Sequence, residues 1–291
     1  MAAPNEKKYI NFLLSMPSVA WLTLFYALPM LIIFLLTFKP SDAFGGIGEG
    51  WTLETLYSLS DPNYPSIIWR TIYLGIVSTA VCIAVAVPIG YHLARMSQKA
   101  RSIVLMLIVV PFWTNFLIRI FAWKVFLHPD GLLKRLLVLI GVAQDNTMLL
   151  YNQWAVLAVM IYTYLPFAIL PIYASAEKFD FSLLDAAKDL GASSLQAFMK
   201  VFVPCVSKGI WTSIMVVLIP AFGAYLIPDL VGGPGSELIG DKIAQRVFTE
   251  RNLPHASGLS AVLMLVVFIP ILASFYLKRF NSSLEKKELF K

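Results

Sequence analysis

The sequence predicts an all-α protein that crosses a membrane several times. Of its 291 residues, 58% are hydrophobic and 14% are charged, and the mean hydropathy is +0.74. Soluble domains contain about 45–50% apolar and about 25% charged residues. No polar stretch is long enough to build a core of its own, so we expect one transmembrane domain over residues 1–291 and no separate soluble domain.

Six hydrophobic runs are long enough to cross the hydrocarbon core, which takes about 20 apolar residues. They lie at residues 12–38, 67–94, 103–127, 154–175, 209–230 and 257–277. The first run follows two lysines, as a signal peptide would. It is longer than a signal-peptide apolar region and has no small-residue cleavage site, so we expect it to be retained as a helix.

The basic residues predict the orientation of these six helices. If the N-terminus lies inside, most lysines and arginines fall in the inner connections, as is typical of cytoplasmic segments. We therefore expect both termini and the loop at residues 177–204 to be cytoplasmic. The net charge of +6 is then a topology signal beside the membrane ends, and we do not expect nucleic-acid binding.

The loop at residues 177–204 is polar but keeps helical periodicity. Ser182 and Asp185 have the spacing of a capping box, which predicts the start of a helix. Gly191 is placed to end it, because glycine takes positive φ without strain. The apolar positions of this helix share one face at helical spacing. They are Leu183, Leu184, Ala187 and Leu190.

A second short helix is predicted after Gly191. Ser193 and Gln196 offer another capping box, and Pro204 is placed to close the helix. Its apolar stripe consists of Leu195, Phe198, Met199 and Phe202. Two amphipathic helices outside the bilayer need a surface to cover them, which favours a docking element for a soluble partner. The alternative is an amphipathic helix that lies in the membrane interface.

A spaced pattern in this loop carries a family resemblance. The pattern consists of Asp185-Ala186-Ala187, Gly191, Val201, Val203 and Pro204. It resembles the EAA loop of ABC-importer permeases, with aspartate in place of glutamate and valine in place of isoleucine and leucine. The resemblance implies the type I ABC-importer permease fold. It also implies that this loop, including Ser182, sits in a groove of a cytoplasmic ATPase and couples it to transport.

The third run contains a charged residue. Asn115 and Arg119 are four residues apart, which predicts that they share one helical face. A charge within a span should face protein or water and be paired. We expect Arg119 to have a structural partner, such as a carboxylate or helix C-terminal carbonyls, because a fixed cation on the path would repel a cationic substrate. A role on the path is the alternative.

Prolines and a glycine interrupt the fifth run. Pro220, Gly223 and Pro228 make a continuous helix unfavourable, and broken backbone at membrane depth is tolerated where it lines a cavity. Pro166 and Pro171 predict a kink in the fourth run. We favour a substrate path lined by these runs over plain packing kinks.

Several aromatic residues and one carboxylate fall near the predicted outer half of the membrane. They are Trp113, Tyr164, Phe222, Tyr225 and Asp229, with Asn115 beside them. Aromatic faces and a carboxylate suit a polyvalent amine, through cation–π contacts and charge pairing. The alternative is that the aromatic residues are ordinary interfacial anchors.

Three segments extend the resemblance to one branch of the family. PFWTNFLIRIFAW, EKFDFSLLDAAKDLGAS and IPDLVGGPGSELIG are similar to permease subunits of spermidine/putrescine importers. The resemblance implies a multi-pass protein of the bacterial inner membrane. Its partners would be a second permease subunit, two cytoplasmic ATPase subunits and a periplasmic substrate-binding protein. A sibling importer for another small solute is the alternative.

The chain is not expected to be an enzyme or to bind a cofactor itself. It has no G-x-x-x-x-G-K-[ST] loop, so ATP and Mg²⁺ belong to the partner ATPase. Its three histidines have no metal-ligand spacing, and its two cysteines lie in different layers, so we expect neither a metal site nor a disulfide.

Two other function classes and one structural alternative stay open. A transporter that works without ATP would usually carry internal repeats, which we do not find, and an intramembrane enzyme would need a nucleophile with a base. The outer connections are either solvated linkers or a platform for the binding protein, and we favour the platform. They span residues 39–66, 128–153 and 231–256.

Overall fold

The apolar runs of the sequence form helices in the computed structural model, which describes residues 14–42, 46–144 and 146–268. Within these ranges the pairing of extended backbone is limited to an isolated antiparallel bridge between Ser41 and Ile47. The helices are, in chain order, α1 (Leu14–Leu36), α2 (Glu54–Ser58), α3 (Asn63–Arg95), α4 (Gln98–Trp113), α5 (Phe116–Leu127), α6 (Leu132–Leu139), α7 (Gln153–Ala176), α8 (Ser182–Asp189), α9 (Ser194–Cys205), α10 (Ser207–Phe222), α11 (Leu226–Val231), α12 (Ile239–Ala244) and α13 (Leu253–Phe268).

Three helices are long and apolar enough to cross a membrane by themselves, namely α1, α3 and α7. The third predicted run is a bent pair, in which α4 meets the α5–α6 segment at 94°. A second bent pair lies before the fifth predicted run, where α9, in the predicted loop 177–204, meets α10 at 70°. Counting each pair as one span gives five in the part of the chain that is described. The all-α prediction is confirmed, and the prediction of six spans stays a prediction.

The sixth predicted span is only partly described. Its described part belongs to α13, which the structure describes from Leu253 as far as Phe268. The remainder of the predicted span at 257–277 lies outside the described residues, as do the start of the first span and both termini, on which the prediction of cytoplasmic ends depends.

The chain forms two compact units. One contains the described residues up to 64 and from 242 onward, and the other contains residues 65–241. In the first unit, the Thr55 hydroxyl donates to the carbonyl of Lys39 over 3.1 Å. The Lys39 ammonium lies 4.5 Å from the centre of the Trp51 ring. These contacts fold the segment after α1 onto α2.

Helix α7 is the centre of the second unit. Asn152 caps its N-terminus by accepting hydrogen bonds from the backbone of Trp154 and Ala155. Its buried side chains are Ala155, Val156, Leu157, Val159, Met160, Thr163, Tyr164, Ala168, Ile169, Ile172 and Ala176. A helix that is apolar on most sides is buried rather than amphipathic. Helix α7 is therefore the central helix against which its neighbours pack.

Helix α10 packs closely along α7. A Cβ atom at Gly209 would lie 2.4 Å from the Ser175 hydroxyl and 2.7 Å from the Pro171 carbonyl, so only glycine allows this approach. The Ser213 hydroxyl donates to the Ala168 carbonyl over 2.8 Å. Ser213 and Ala168 are both buried, so this hydrogen bond joins the two helices on the face that they share.

Candidate functional site

The break in the fifth run lies where its prolines and glycine predict it. Helix α10 ends at Phe222, Gly223 follows as its C-cap, and the chain turns at Tyr225 before α11 begins. The end of a helix leaves carbonyl groups without intrahelical partners. The Tyr164 hydroxyl, on α7, donates to the carbonyl of Pro220 over 3.2 Å and supplies one of the missing bonds.

A cavity of about 140 Å³ lies at this break. It is lined by Phe116, Tyr164, Pro220, Gly223, Ala224, Tyr225, Leu226 and Ile227. Helix α11 packs against α5 and α7, which brings the third, fourth and fifth runs to one place. The walls are mainly apolar and aromatic, with the two tyrosines and the backbone of the break as polar groups.

The structure brings only part of the predicted path residues to this cavity. Tyr164 and Tyr225 line it, and Tyr225 is 41% exposed. Phe222 is buried, and its ring occupies the space that a side chain at Gly75 would need. Trp113 is 80% exposed at the end of a 3₁₀ turn, and Asp229 is exposed on α11.

Phe116 is a lining residue that the sequence did not reveal. It is the first residue of α5, directly after the bend between α4 and α5. The pattern around it reads as one continuous apolar run, and Pro111 is the only signal of the break. Recognising the proline as the end of a helix would have placed Phe116 at a turn.

Asn115 lies one turn before Arg119, and the Arg119 backbone N–H donates to the Asn115 carbonyl over 3.2 Å. Helix α5 begins at Phe116, and Asn115 is its N-cap, whose side-chain oxygen accepts from the Leu117 backbone over 2.8 Å. Thr114 is extended and interrupts the third run, so Asn115 is the cap and not a part of the helix, and the prediction of a shared face stays a prediction. Asn115 therefore fixes the start of the helix that carries Arg119.

Arg119 contacts aromatic rings. Its guanidinium carbon lies 5.0 Å from the centre of the Phe112 ring and 5.7 Å from that of Phe116, within the range of cation–π contacts. Within the described ranges, its Nε is buried without a hydrogen-bond partner. The neighbouring cavity, about 320 Å³, is lined by Arg119, Ala122, Trp123, Phe126 and Tyr162.

The loop at residues 177–204 begins with a cap that differs from the predicted one. Ser182 is the first residue of α8 and does not cap it; its backbone N–H donates to the carboxylate of Asp180 over 3.0 Å. Hydrogen bonds from the side chain and then the backbone of Ser182 lower the pKa of Asp180 from its ordinary value. The predicted Ser182–Asp185 capping box is wrong because the chain enters the helix through Phe181, whose ring packs inward.

The junction between α8 and α9 matches the sequence prediction. Gly191 has φ +89°. Its N–H bonds to the Lys188 carbonyl over 2.8 Å, and the next N–H bonds to the Ala187 carbonyl over 3.0 Å, which is a Schellman ending. Ser193 and Gln196 form the predicted capping box. Helix α9 ends at Cys205, directly after Pro204.

The two short helices bury only part of their apolar surface. Leu184 and Phe202 are buried, but other large apolar side chains face outward. Their exposed fractions are 46% for Leu183, 90% for Leu190, 71% for Leu195 and 55% for Met199. Asp185 and Ala186 are exposed, Ala187 is half-buried, and Lys188 pairs with Asp185 over 3.5 Å. The apolar residues that were expected to form one stripe on each helix are therefore divided. Some face the rest of the protein, and the others are exposed.

The segment that follows α11 is held against α3 by hydrogen bonds. The backbone N–H of Ile239 donates to the Thr71 hydroxyl over 2.9 Å, and Arg70 donates to the Glu237 carbonyl over 3.2 Å. Leu238 and Ile239 are buried. This part of the outer connection at 231–256 is therefore anchored to α3 and is not a solvated linker.

Known proteins resemble this chain over most of its length. Residues 86–282 match the family described as "Binding-protein-dependent transport system inner membrane component". The spermidine/putrescine transport system permease protein PotB of Salmonella typhimurium (strain SL1344) is 34% identical over 268 residues, which are 92% of this chain and 93% of that protein. PotB of Escherichia coli (strain K12) is 35% identical over 254 residues, 87% of this chain and 92% of that protein.

A solved structure shares the fold. A chain of a bacterial alginate ABC transporter, in complex with an alginate pentasaccharide-bound periplasmic protein, superposes with a TM-score of 0.72. The match covers 95% of this chain and 96% of that chain, at 15% sequence identity. The fold is therefore that of a type I ABC-importer permease.

Replacing Tyr164 with phenylalanine should destabilise the break between α10 and α11. The Pro220 carbonyl would lose its partner, which costs about 1–3 kcal/mol for a buried acceptor. We expect a lower midpoint of thermal unfolding in detergent. Tyr162→Phe, two residues earlier on α7, is the control, because no hydrogen bond of its hydroxyl is found within the described ranges. Equal midpoints for both variants would contradict the assignment.

Proposed function

Because the chain belongs to the family of binding-protein-dependent transport system inner membrane components, and is thus a permease subunit of an ABC importer, we propose that polyamines such as spermidine and putrescine are its substrates. The observation that carries this proposal is the 34–35% identity, over nearly the whole chain, to permeases named for those two solutes. The chain is a transport subunit and not an enzyme; ATP and Mg²⁺ would bind to a separate ATPase.

The α8–α9 loop is the proposed docking element for that ATPase. Leu183, Leu190, Leu195 and Met199 are exposed on two short helices joined by a rigid turn. Large exposed apolar side chains beside charged ones are typical of a helix that fits a groove. The family pattern is carried by Asp185, Ala186 and Ala187 at the centre of α8, by Gly191 at the turn and by Pro204 near the end of α9. Ser182, at the start of α8, belongs to the same proposed docking element.

The substrate path is proposed to pass the break between α10 and α11. Tyr164, Tyr225 and Phe116 present aromatic surface to the cavity there, and such surface attracts ammonium groups. Asp229 on α11 supplies an exposed carboxylate. Trp113 adds exposed aromatic surface, while Asn115 caps α5 and Phe222 fills space beside Gly75. Arg119 is held by two aromatic rings, which supports a structural role for its charge.

The mechanism we propose is alternating access. Closure of two ATP-bound ATPase subunits would move the docked α8–α9 loop, and this movement would repack the helices around the break. Broken helices in transporters rearrange in this way because their backbone already lacks a continuous hydrogen-bond ladder. ADP release would reset the path.

The assembly follows from the same family. We propose that the chain pairs with a second permease subunit and receives its substrate from a periplasmic binding protein, and a solved relative of the same fold is in complex with such a protein. We also propose six spans with both termini in the cytoplasm of a bacterial cell, as the distribution of basic residues predicts.

The function is tested by ATPase activity in the reconstituted complex. We expect binding protein loaded with spermidine or putrescine to stimulate hydrolysis only when this subunit is present. Stimulation by an unrelated solute alone would move the chain to a sibling importer. Stimulation that persists without the subunit would contradict its role as the permease.

Gly191→Val should weaken coupling between the ATPase and transport. Gly191 has φ +89°, where a β-branched residue is strained by about 1–3 kcal/mol. We expect complexes that insert normally but show several-fold less substrate-stimulated ATPase activity. Gly141→Val introduces the same strain at φ +73° in an outer connection and is the control. Full stimulation in Gly191→Val would contradict the docking role of the turn.

Asp229→Asn should raise the KM for polyamine uptake. Removing an exposed carboxylate that pairs with a cation loses up to about 1 kcal/mol, or about fivefold in affinity. Uptake of labelled spermidine into proteoliposomes measures the change. Asp130→Asn removes a carboxylate from another exposed outer position and serves as the control. An unchanged KM in Asp229→Asn would remove this residue from the path.

A further inference from the structure

A cluster of five aromatic rings joins the cytoplasmic loop to α3. Tyr91, near the inner end of α3, lies with its ring centre 5.0 Å from that of Phe202, 5.3 Å from Phe198 and 5.9 Å from Phe181. Phe179 completes the cluster, 5.2 Å from Phe181 and 5.3 Å from Phe202. Most of these pairs are edge-to-face, which is the favoured geometry of aromatic contacts.

The phenylalanine rings of the cluster come from the segments on both sides of α8. Phe179 and Phe181 precede α8, whereas Phe198 and Phe202 belong to α9. Phe202 is fully buried. Helix α8 itself buries one side chain, Leu184, and a helix of eight residues is marginal without tertiary contacts. The ring cluster therefore holds both flanks of α8 to the membrane-spanning helices.

Arg95 covers the outer side of the cluster. Its guanidinium carbon lies 5.4 Å from the Tyr91 ring centre and 5.6 Å from that of Phe181. One guanidinium nitrogen also donates to the Tyr91 hydroxyl over 2.5 Å. Tyr91 is thus fixed by ring contacts on one side and by a cation on the other.

A salt bridge joins the start of the loop to α4. Arg101, in the first turns of α4, pairs with Glu177 over 3.0 Å, directly after the end of α7. The Arg101 side chain is 24% exposed and that of Glu177 is 44% exposed. An exposed salt bridge of this kind contributes little to the free energy of unfolding. Its effect is to hold the start of the loop against α4.

We propose that Tyr91 and Arg101 are positioning residues that make the loop and the inner ends of α3 and α4 move as one body. This inference rests on the proposed function, in which a partner ATPase pulls on the loop. Packed rings have discrete arrangements and do not deform continuously. A displacement of α8 and α9 is therefore transmitted to α3 through the rings and to α4 through the salt bridge.

The contact between Tyr91 and the phenylalanine rings is tested with Tyr91→Leu in the full complex. Leucine keeps apolar bulk and helix propensity but removes the ring. We expect ATPase subunits to co-purify normally and basal ATPase activity to persist, while substrate transported per ATP hydrolysed falls at least about fivefold, the lower range of allosteric coupling. Tyr91→Phe should restore the ratio. Tyr73→Leu, the same change at an exposed position of α3, is the control.

The salt bridge between Arg101 and Glu177 is tested by exchanging the charges of the two residues. Arg101→Glu alone should lower the transport-to-ATP ratio, and adding Glu177→Arg should restore it, because the swapped pair reforms the same contact. A merely structural role would lower the amount of folded complex without changing the ratio. A failure of the swap to restore the ratio, or an unchanged ratio in Tyr91→Leu, would overturn the proposal.

The two proposals fail in different ways. If the wild-type complex is stimulated by another solute and not by polyamines, the substrate assignment is overturned, and the ratio is measured with that solute. The wild-type complex can instead respond to polyamines while the Tyr91 and Arg101 variants transport as much substrate per ATP hydrolysed as the wild type. In that case only the positioning role of these two residues is overturned.

Discussion

The requirement that backbone polar groups be satisfied inside a membrane governs the second unit of this protein. Helices meet it by themselves, but the fifth run breaks between α10 and α11 and frees carbonyl groups. The Tyr164 hydroxyl bonds to one of them, and α11 folds back against α5 and α7. The cavity at this point is a consequence of the break, and it offers aromatic surface and carbonyl oxygens together.

The loop at residues 177–204 follows a different rule, in which local hydrogen bonds fix the shape and apolar contacts fix the position. A Schellman ending and a capping box set the angle between α8 and α9 without help from the rest of the fold. Inward-facing rings attach the loop to α3, and outward-facing leucines stay exposed. A loop with one anchored face and one uncovered face is suited to pass a movement from a soluble partner to the helices.

Arg119 shows how a charge is accommodated among aromatic rings, and the described residues include no ion-pair partner for it. Two phenylalanine rings lie within cation–π distance, one before and one after the bend between α4 and α5. The bend itself depends on Pro111 and on the cap that Asn115 provides. The side chains that surround the charge are therefore gathered by the break in the helix, and the spacing of residues along a regular helix could not reveal them.

The sequence by itself determined the helical class, the turn at Gly191 and the family, because periodicity, capping and motif spacing are local properties of the chain. It could not place Ser182 inside α8, Asn115 outside α5 or Phe222 away from the cavity, because these depend on where a helix begins or which neighbour a ring meets. Tertiary structure alone decided that Tyr164 bonds to Pro220 and that Tyr91 packs against three phenylalanines. Those partners are far apart in sequence, and only the packing of α3, α7, α9 and α10 brings them into contact.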